Sequence, residues 1–301
     1  MFNDGFLDER LRDWGEDPPY MPVIKVVGLG GGGSNAVDRM IDFGLYGVDF
    51  MIANTDRQAM AFSQAPVKLQ LGPQLTRGLG AGGDPSVGEA AALESKGDIA
   101  MALEGADMVF LTAGMGGGTG TGSIPVAAQV AKELGIITVA VVTKPFGFEV
   151  GGRQKNADEG LMKLQPHVNT LITIPNERLL QTVSEKATLS EAFHLADDVL
   201  RQAVQSITEL ITQPGTINVD FAHIERVMKL GGGALMSIGQ ASGEDKALHA
   251  IKQALYHPLL EDISLANASG VIVNFTSGKD LTLMDIGKAL NYLQEQIPPD
   301  A

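Results

Sequence analysis

Between Val23 and Pro175, short β-branched runs alternate with longer stretches whose apolar residues recur at helical spacing. VIKVVGLG (23–30), VDFMIAN (48–54), DMVFLTAG (107–114), IITVAVVT (136–143) and TLITIP (170–175) read as strands. Apolar runs that alternate with helices imply parallel strands covered on both faces. The fold class expected is therefore α/β, a doubly wound and mostly parallel sheet, with ligands at the carboxyl ends of its strands.

The pattern changes after Thr188. In LSEAFHLADDVLRQAVQSITELI, Leu189, Phe193, Leu195, Val199, Leu200, Val204, Ile207 and Ile211 recur at roughly helical spacing. At about 1.5 Å per residue this helix is long enough to cross a whole domain, and Pro214-Gly215 ends it. Beyond it come a helix from Asp220, a strand-like ALMSIGQASG (234–243), a helix from about Glu244 to Tyr256, a strand GVIVNFTSG (270–278) and a last helix from Thr282 to Gln296. The organisation expected is an acidic, loosely held extension over 1–21, a first domain over 22–187, a connecting central helix over 188–213 and a smaller α/β domain over 214–301.

Composition narrows the partners. A formal charge of −14, from 36 acidic and 22 basic residues, gives no attraction for nucleic acid or anionic lipid. No run approaches the ~18 apolar residues of a membrane span, so direct membrane insertion is not expected. The acidic start MFNDGFLDER is unlike a signal peptide, and a cytoplasmic protein is the expectation. The absence of cysteine excludes thiolate zinc sites and a cysteine nucleophile.

Glycine carries the candidate chemistry. GLGGGGSNA (28–36) follows a strand and opens a helix, where a bare backbone can approach a phosphate. Alone it also suits a nicotinamide-dependent dehydrogenase or a tight turn without a ligand. GMGGGTGTG (114–122) repeats the arrangement and GLGAGGDP (78–85) adds a third loop. Three loops at the ends of strands in one sheet can surround a polyphosphate with amides, which a dehydrogenase does not need. There is no G-x-x-x-x-G-K-[ST], so the cradle is built from backbone rather than a lysine.

With GGGTGTG in place, the chain resembles the tubulin/FtsZ family over nearly all of residues 23 to 297. The matching pieces are GLGGGGSNAV, ANTDRQA, GLGAGGDPSVG, GMGGGTGTGS, TKPFGFEVGGR, TIPNERLL, AFHLADDVLRQAV and NVDFA, in the family's order. The resemblance implies a tubulin-type GTP-binding domain over 22–187 and a C-terminal activation domain. It implies a GTPase that binds GTP and GDP, with Mg²⁺ held mainly through the phosphates. Such a protein assembles with itself head to tail into filaments for bacterial cell division, each subunit's second domain completing its neighbour's site. A family paralogue or division adaptors are further partners, and the division site is the expected location. Carried over by position, Gly31, Gly32, Gly33, Ser34, Asn35, Gly117, Gly118, Thr119 and Gly120 would lie on phosphate. Glu149 would bind the ribose, Arg153 would approach near the phosphates, and Asn176, Phe193 and Asp197 would recognise guanine. A carboxylate can accept from the base's N1 and N2 donors, and a Phe can stack on its face. Read without the family, Asp197 is a solvated helix carboxylate and Phe193 a core aromatic. Asp56 and Asp84 are candidates for contacts to phosphate-bound Mg²⁺ or its waters.

Two departures stand out. The family's catalytic loop reads NVDFA followed by an acid, whose paired carboxylates orient the attacking water. Here Asn218 and Asp220 match but His223 stands at the second acidic position. Asp220 also reads as a helix N-cap whose side chain accepts from first-turn amides. His223 as a neutral general base, slow hydrolysis with retained assembly, and Asp220 sufficing alone are three readings of that exchange. A divergent paralogue that co-assembles but hydrolyses little is the alternative function. The second departure is the stop at IPPDA, where the family continues into further strands and a tail that binds adaptors. The second domain is therefore expected to be incomplete.

Overall fold

Among the described residues seven strands stack in the order β3-β2-β1-β4-β5-β6-β7, every ladder parallel. The computed structural model describes residues 21–149, 151–182, 186–213, 220–260, 267–278 and 280–298. The strands are β1 (Ile24–Leu29), β2 (Asp49–Asn54), β3 (Val67–Gln70), β4 (Met108–Gly114), β5 (Ile137–Lys144), β6 (Thr170–Pro175) and β7 (Gly233–Ala234). Between them run α1 (Gly30–Asp42), α2 (Arg57–Phe62), α3 (Pro85–Glu94), α4 (Lys96–Leu103), α5 (Thr119–Glu133), α6 (Arg153–Leu164) and α7 (Asn176–Leu179). The expected strands appear within a residue or so at each end.

Successive side chains on a strand face opposite ways, so each central strand feeds two cores. Val26, Ile52, Phe110, Val139 and Ile172 pack on one side with Val37 and Met40 of α1. Val27, Met51, Val109, Leu111 and Ala140 pack on the other with Ala91 of α3, Ile124 of α5 and Leu164 of α6. β3 was not foreseen: VKLQ is four residues long, half-exposed and at the edge of the sheet.

The long helix is α8 (Leu189–Thr212). Thr188 caps it with a complete capping box, its hydroxyl accepting from the Glu191 amide while the Glu191 carboxylate accepts from the Thr188 amide. Ala196, Val199, Leu200, Ala203, Val204 and Ile207 lay one apolar stripe into the first core, beside α1. Its 24 residues span about 36 Å. α8 starts on the side of the strands' carboxyl ends and finishes beside Gly47, just before β2, at their amino ends: a methyl built on Gly47 would lie 2.9 Å from Thr212 Cγ2.

Beyond it lie α9 (Phe221–Met228), α10 (Lys246–Leu255) and α11 (Leu283–Gln294). α10 and α11 pack through Ala247, Ile251 and Ala289. The strand expected over 234–243 shrinks to Gly233–Ala234, and this pair joins the first sheet, Leu171 opposite Gly233 and Ile172 opposite Ala234. The strand expected over 270–278 forms no ladder among the described residues. Their apolar patterns are those of strands, but a strand also needs a neighbour to bond. The expected extension falls almost wholly on residues outside the described set.

Candidate functional site

β1 and β4 are the neighbours at which the strand order reverses, and a glycine loop follows each. Such a switch point opens a crevice at the carboxyl ends of the strands. α1 and α5 both start there, and neither has a side-chain cap on its leading amides. Two uncapped helix N-termini make a cradle for negative charge. The loops touch: a methyl on Gly30 would sit 2.7 Å from the Gly120 nitrogen, and one on Gly118 would sit 2.9 Å from both Ala81 Cβ and the Asp84 nitrogen of the third glycine loop.

The glycines expected on phosphate divide into two groups. A methyl on Gly33 would lie 2.3 Å from the Thr112 carbonyl oxygen, and methyls on Gly32 and Gly120 would lie 3.2 and 3.1 Å from backbone. These glycines, with Gly118, let the backbone segments approach one another. Gly31 and Gly117 have nothing within 4 Å and face open space. Gly33→Ala should therefore destabilise the ligand-free fold by about 1–3 kcal/mol or more through overpacking, read as a lower Tm. Gly31→Ala should leave Tm unchanged or raised, since alanine is the better helix former, while weakening nucleotide binding.

Ser34 does not offer its hydroxyl to the crevice: its side chain is buried and donates to the Gly30 carbonyl at 2.7 Å, one helical turn back. Asn35 is exposed on the same helix. Thr119 shares a 2.6 Å hydrogen bond with the buried Thr55, whose own carbonyl accepts from the Gly80 amide at 3.2 Å. Thr55 thus ties the end of β2 to both other loops. Thr55 lies in the ANTDRQA piece of the family pattern, but nothing in its local spacing marks this role.

The neighbouring wall comes from the segment after β5 and from α8. Glu149 accepts from the Phe146 amide at 2.9 Å and from Arg153 Nη1 at 2.8 Å, while Arg153 is half-exposed. A carboxylate has about four acceptor positions, so Glu149 retains capacity for a further donor. Phe193 stands edge-on to Phe146 with centroids 5.4 Å apart and is 40% exposed, leaving a face open rather than serving as core. Asn176 is buried, and its Oδ1 has no partner among the described residues. Asp197 lies near Arg39 of α1, Nε to Oδ2 3.4 Å. Burial pushes the Asp197 carboxyl up to about 6, with the Arg39 guanidinium pulling the other way. Before any ligand enters, its contribution to stability is thus present below the ordinary value near 3.8 and lost as pH rises through about 6.

The acids considered for Mg²⁺ have local structural duties. Asp56 Oδ1 accepts from the Gln58 and Ala59 amides at the start of α2, and Asp84 Oδ1 accepts from the Ser86 amide and hydroxyl at the start of α3. The Ser86 contacts hold the exposed Asp84 carboxyl below the usual range. Among the described residues no three His, Asp or Glu side chains converge on a metal position.

Asp220 and His223 lie elsewhere. They belong to α9, which buries Ile224 and Met228 in the first core, and the Met228 carbonyl accepts from Thr170 at the amino end of β6. Asp220 occupies the N-cap position, but its side chain makes no capping bond, correcting the expectation from sequence. Its carboxylate is 84% exposed and lies 3.9 Å from His223 Nδ1, beyond hydrogen-bond range. Asn218 lies outside the described residues. Crevice and acid thus sit at opposite ends of the strands.

The fold and the loops define a doubly wound α/β protein with an anion-accepting crevice at its switch point, and this description meets known proteins closely. Residues 23–184 match the model of the Tubulin/FtsZ family, GTPase domain, and residues 232–301 match that of the FtsZ family, C-terminal domain. The chain is 52% identical over 276 residues to cell division protein FtsZ of Rickettsia felis, covering 92% of this chain and 61% of the relative. It is 50% identical over 280 residues to the Caulobacter vibrioides protein of that name, covering 93% and 55%. Among solved structures, an empty FtsZ dimer from M. jannaschii superposes with a TM-score of 0.88 at 42% identity, covering 98% of this chain and 85% of that one. The chain belongs to the tubulin/FtsZ family. It spans about three fifths of the length of those curated relatives.

Proposed function

We propose that this protein binds GTP and GDP at the switch-point crevice and polymerises head to tail, hydrolysing GTP where one subunit's α9 meets the crevice of the next, as part of bacterial cell division. The observation that carries this reading is the separation of the two halves of the site within one chain. The crevice lies at the carboxyl ends of the strands and Asp220 follows the far end of a helix about 36 Å long. An exposed carboxylate that makes no hydrogen bond among the described residues needs a second copy to meet a nucleotide, and such a heterologous contact repeats into a filament. The solved relative being a dimer supports the same assembly.

The residues fit a guanine nucleotide. Open positions at Gly31 and Gly117, the amides at the starts of α1 and α5 and the Thr119 hydroxyl suit phosphates. Phe193, the Asn176 oxygen that has no partner among the described residues and the Asp197 carboxylate suit the base, Glu149 suits the ribose, and Arg153 suits the nucleotide near its phosphates. Mg²⁺ would rest mainly on the phosphates. In the assembled interface Asp220, with Asn218, would orient the attacking water, a task of positioning and electrostatics.

His223 supports a second reading, a filament former that turns over slowly. It stands where the family pattern has an acid and is exposed beside Asp220. His223→Asp should raise phosphate release from assembled filaments by tenfold or more, since a missing positioning or base group costs about 10²–10⁴-fold. Equal or lower turnover in that variant removes the reading. Sedimentation with GTP, GDP and a nonhydrolysable analogue, alongside phosphate release, tests the whole proposal. Assembly with the analogue and disassembly with GDP are expected, and failure to bind any guanine nucleotide sinks it.

A further inference from the structure

We propose that Arg39 is a specificity-determining positioning residue, holding the Asp197 carboxylate oriented and ionised for the purine base from the neighbouring helix. The inference rests on the reading of Asp197 as guanine acceptor given above and brings a second helix into base recognition. Arg39 follows Asn35 by four residues, so the two share a face of α1. One helix then serves both ends of the ligand, its first turn toward phosphate and its third toward the base.

Asp197 belongs to α8, which lies along α1, and Arg39 Nε reaches Oδ2 at 3.4 Å. Arg201 is engaged elsewhere: it donates to Asp198 Oδ1 at 2.7 Å and covers the Phe43 ring at 3.9 Å. Among the described residues the charge paired with Asp197 is Arg39 from α1, and the Asp198–Arg201 pair follows it on α8 itself. The segments after β5 and β6 contribute Phe146, the uncharged Asn176, and Glu177, whose carboxylate accepts from the Gly147 amide at 2.7 Å.

The chemistry follows from the carboxylate's task. Guanine offers donors at N1 and N2, and only an ionised carboxylate accepts from both; a protonated carboxyl turns one oxygen into a competing donor. Burial drives Asp197 toward protonation, and Arg39 is the cation opposing it. A guanidinium does not lose its own proton in this range. Remove it and the buried acid should stay protonated at higher pH, so the base loses an acceptor first.

The test is calorimetric titration of the full chain with GDP and with IDP, which lacks the 2-amino donor, between pH 5.5 and 8. Wild-type affinity for GDP should fall as pH drops through about 6. In Arg39→Gln that fall should begin about one pH unit higher, weakening GDP about twofold at pH 7 and nearly tenfold at pH 5.5, and shrinking the preference for GDP over IDP. Arg39→Lys keeps the charge and should hold the wild-type midpoint, while lowering the GDP preference because a point charge steers the carboxylate less rigidly than a planar fork. It also serves as the folded variant should Arg39→Gln fail to fold. Wild-type profiles and GDP/IDP ratios in the folded Arg39 variants overturn the inference, as does a weakening equal for both nucleotides at every pH. Asp197→Asn separates the two levels: unchanged GDP affinity there removes the guanine reading itself.

Discussion

Asp220→Ala is expected to abolish most GTP turnover, by about 10²–10⁴-fold, while leaving both Tm and GDP affinity at wild-type values. An N-cap aspartate normally contributes about 0.5–2 kcal/mol, because its oxygen accepts from the second or third helical amide. Asp220 stands at the N-cap without making that bond, its carboxylate almost fully in solvent. Its loss should therefore cost the fold nothing and its own chain's crevice nothing. The deficit should appear only in the neighbour's active site, and a mixing experiment reads this directly. Asp220→Ala chains retain a sound crevice, and chains disabled in the crevice by Asp197→Ala retain a sound Asp220. Each mixture then contains interfaces built from one good half of each kind. Phosphate release from the mixture should exceed that of either variant alone. A mixture no better than its parts, or a loss of GDP affinity in Asp220→Ala, would place Asp220 in its own chain's site and remove the head-to-tail reading.

The second large effect is a change of base. Asp197→Asn should weaken GDP on the order of a hundredfold and favour xanthosine diphosphate instead. Guanine presents donors at N1 and N2, so the variant amide, with one acceptor and one donor, meets one of them with the wrong group. Xanthine presents an N1 donor beside a C2 carbonyl, which that amide matches. A hydrogen bond to a charged group is worth about 1.5–3 kcal/mol, and each 1.4 kcal/mol is about tenfold in affinity. The ligand-free protein should not suffer. Above about pH 6 the folded chain carries Asp197 as a buried, ionised carboxylate, at the cost that burial imposes, so a neutral amide there should hold or raise Tm at pH 7. A lower Tm with nucleotide preference intact would make Asp197 structural.

The sequence disclosed the sheet and the long helix because both signals are local. Apolar runs such as DMVFLTAG mark β4 by themselves, and the stripe from Val199 to Ile207 marks α8 within three turns. What it misjudged depends on contacts between distant segments. ALMSIGQASG reads as a strand, yet only Gly233–Ala234 finds an edge to bond, and that edge is β6. The site follows the same division. The glycine loops announce themselves as motifs, but which glycines serve packing and which face open space is decided by Thr112, Gly114, Ala81 and Asp84, distant in sequence. Arg39 and Thr55 escaped for that reason, since a partner 158 or 64 residues away leaves no mark on local spacing. Asp220 was misjudged the other way. Its sequence context satisfies the rule for a cap, and among the described residues the carboxylate makes no capping bond.

The capping box at Thr188 gives α8 a fixed origin. Counted from it, Phe193, Asp197 and the helix's last residue, Thr212, occupy set angles and heights on a rigid rod, 100° and 1.5 Å per residue. In the head-to-tail polymer proposed above that rod would behave as a gauge block: the distance from the base toward the far end of the subunit, where α8 stops, would be set by a count of residues. A single inserted residue would swing the helix's last residue by more than a quarter turn, whereas side-chain changes along the rod leave the gauge intact. The longitudinal repeat of such a filament is then a property of backbone hydrogen bonding, insulated from drift in the surface that surrounds it.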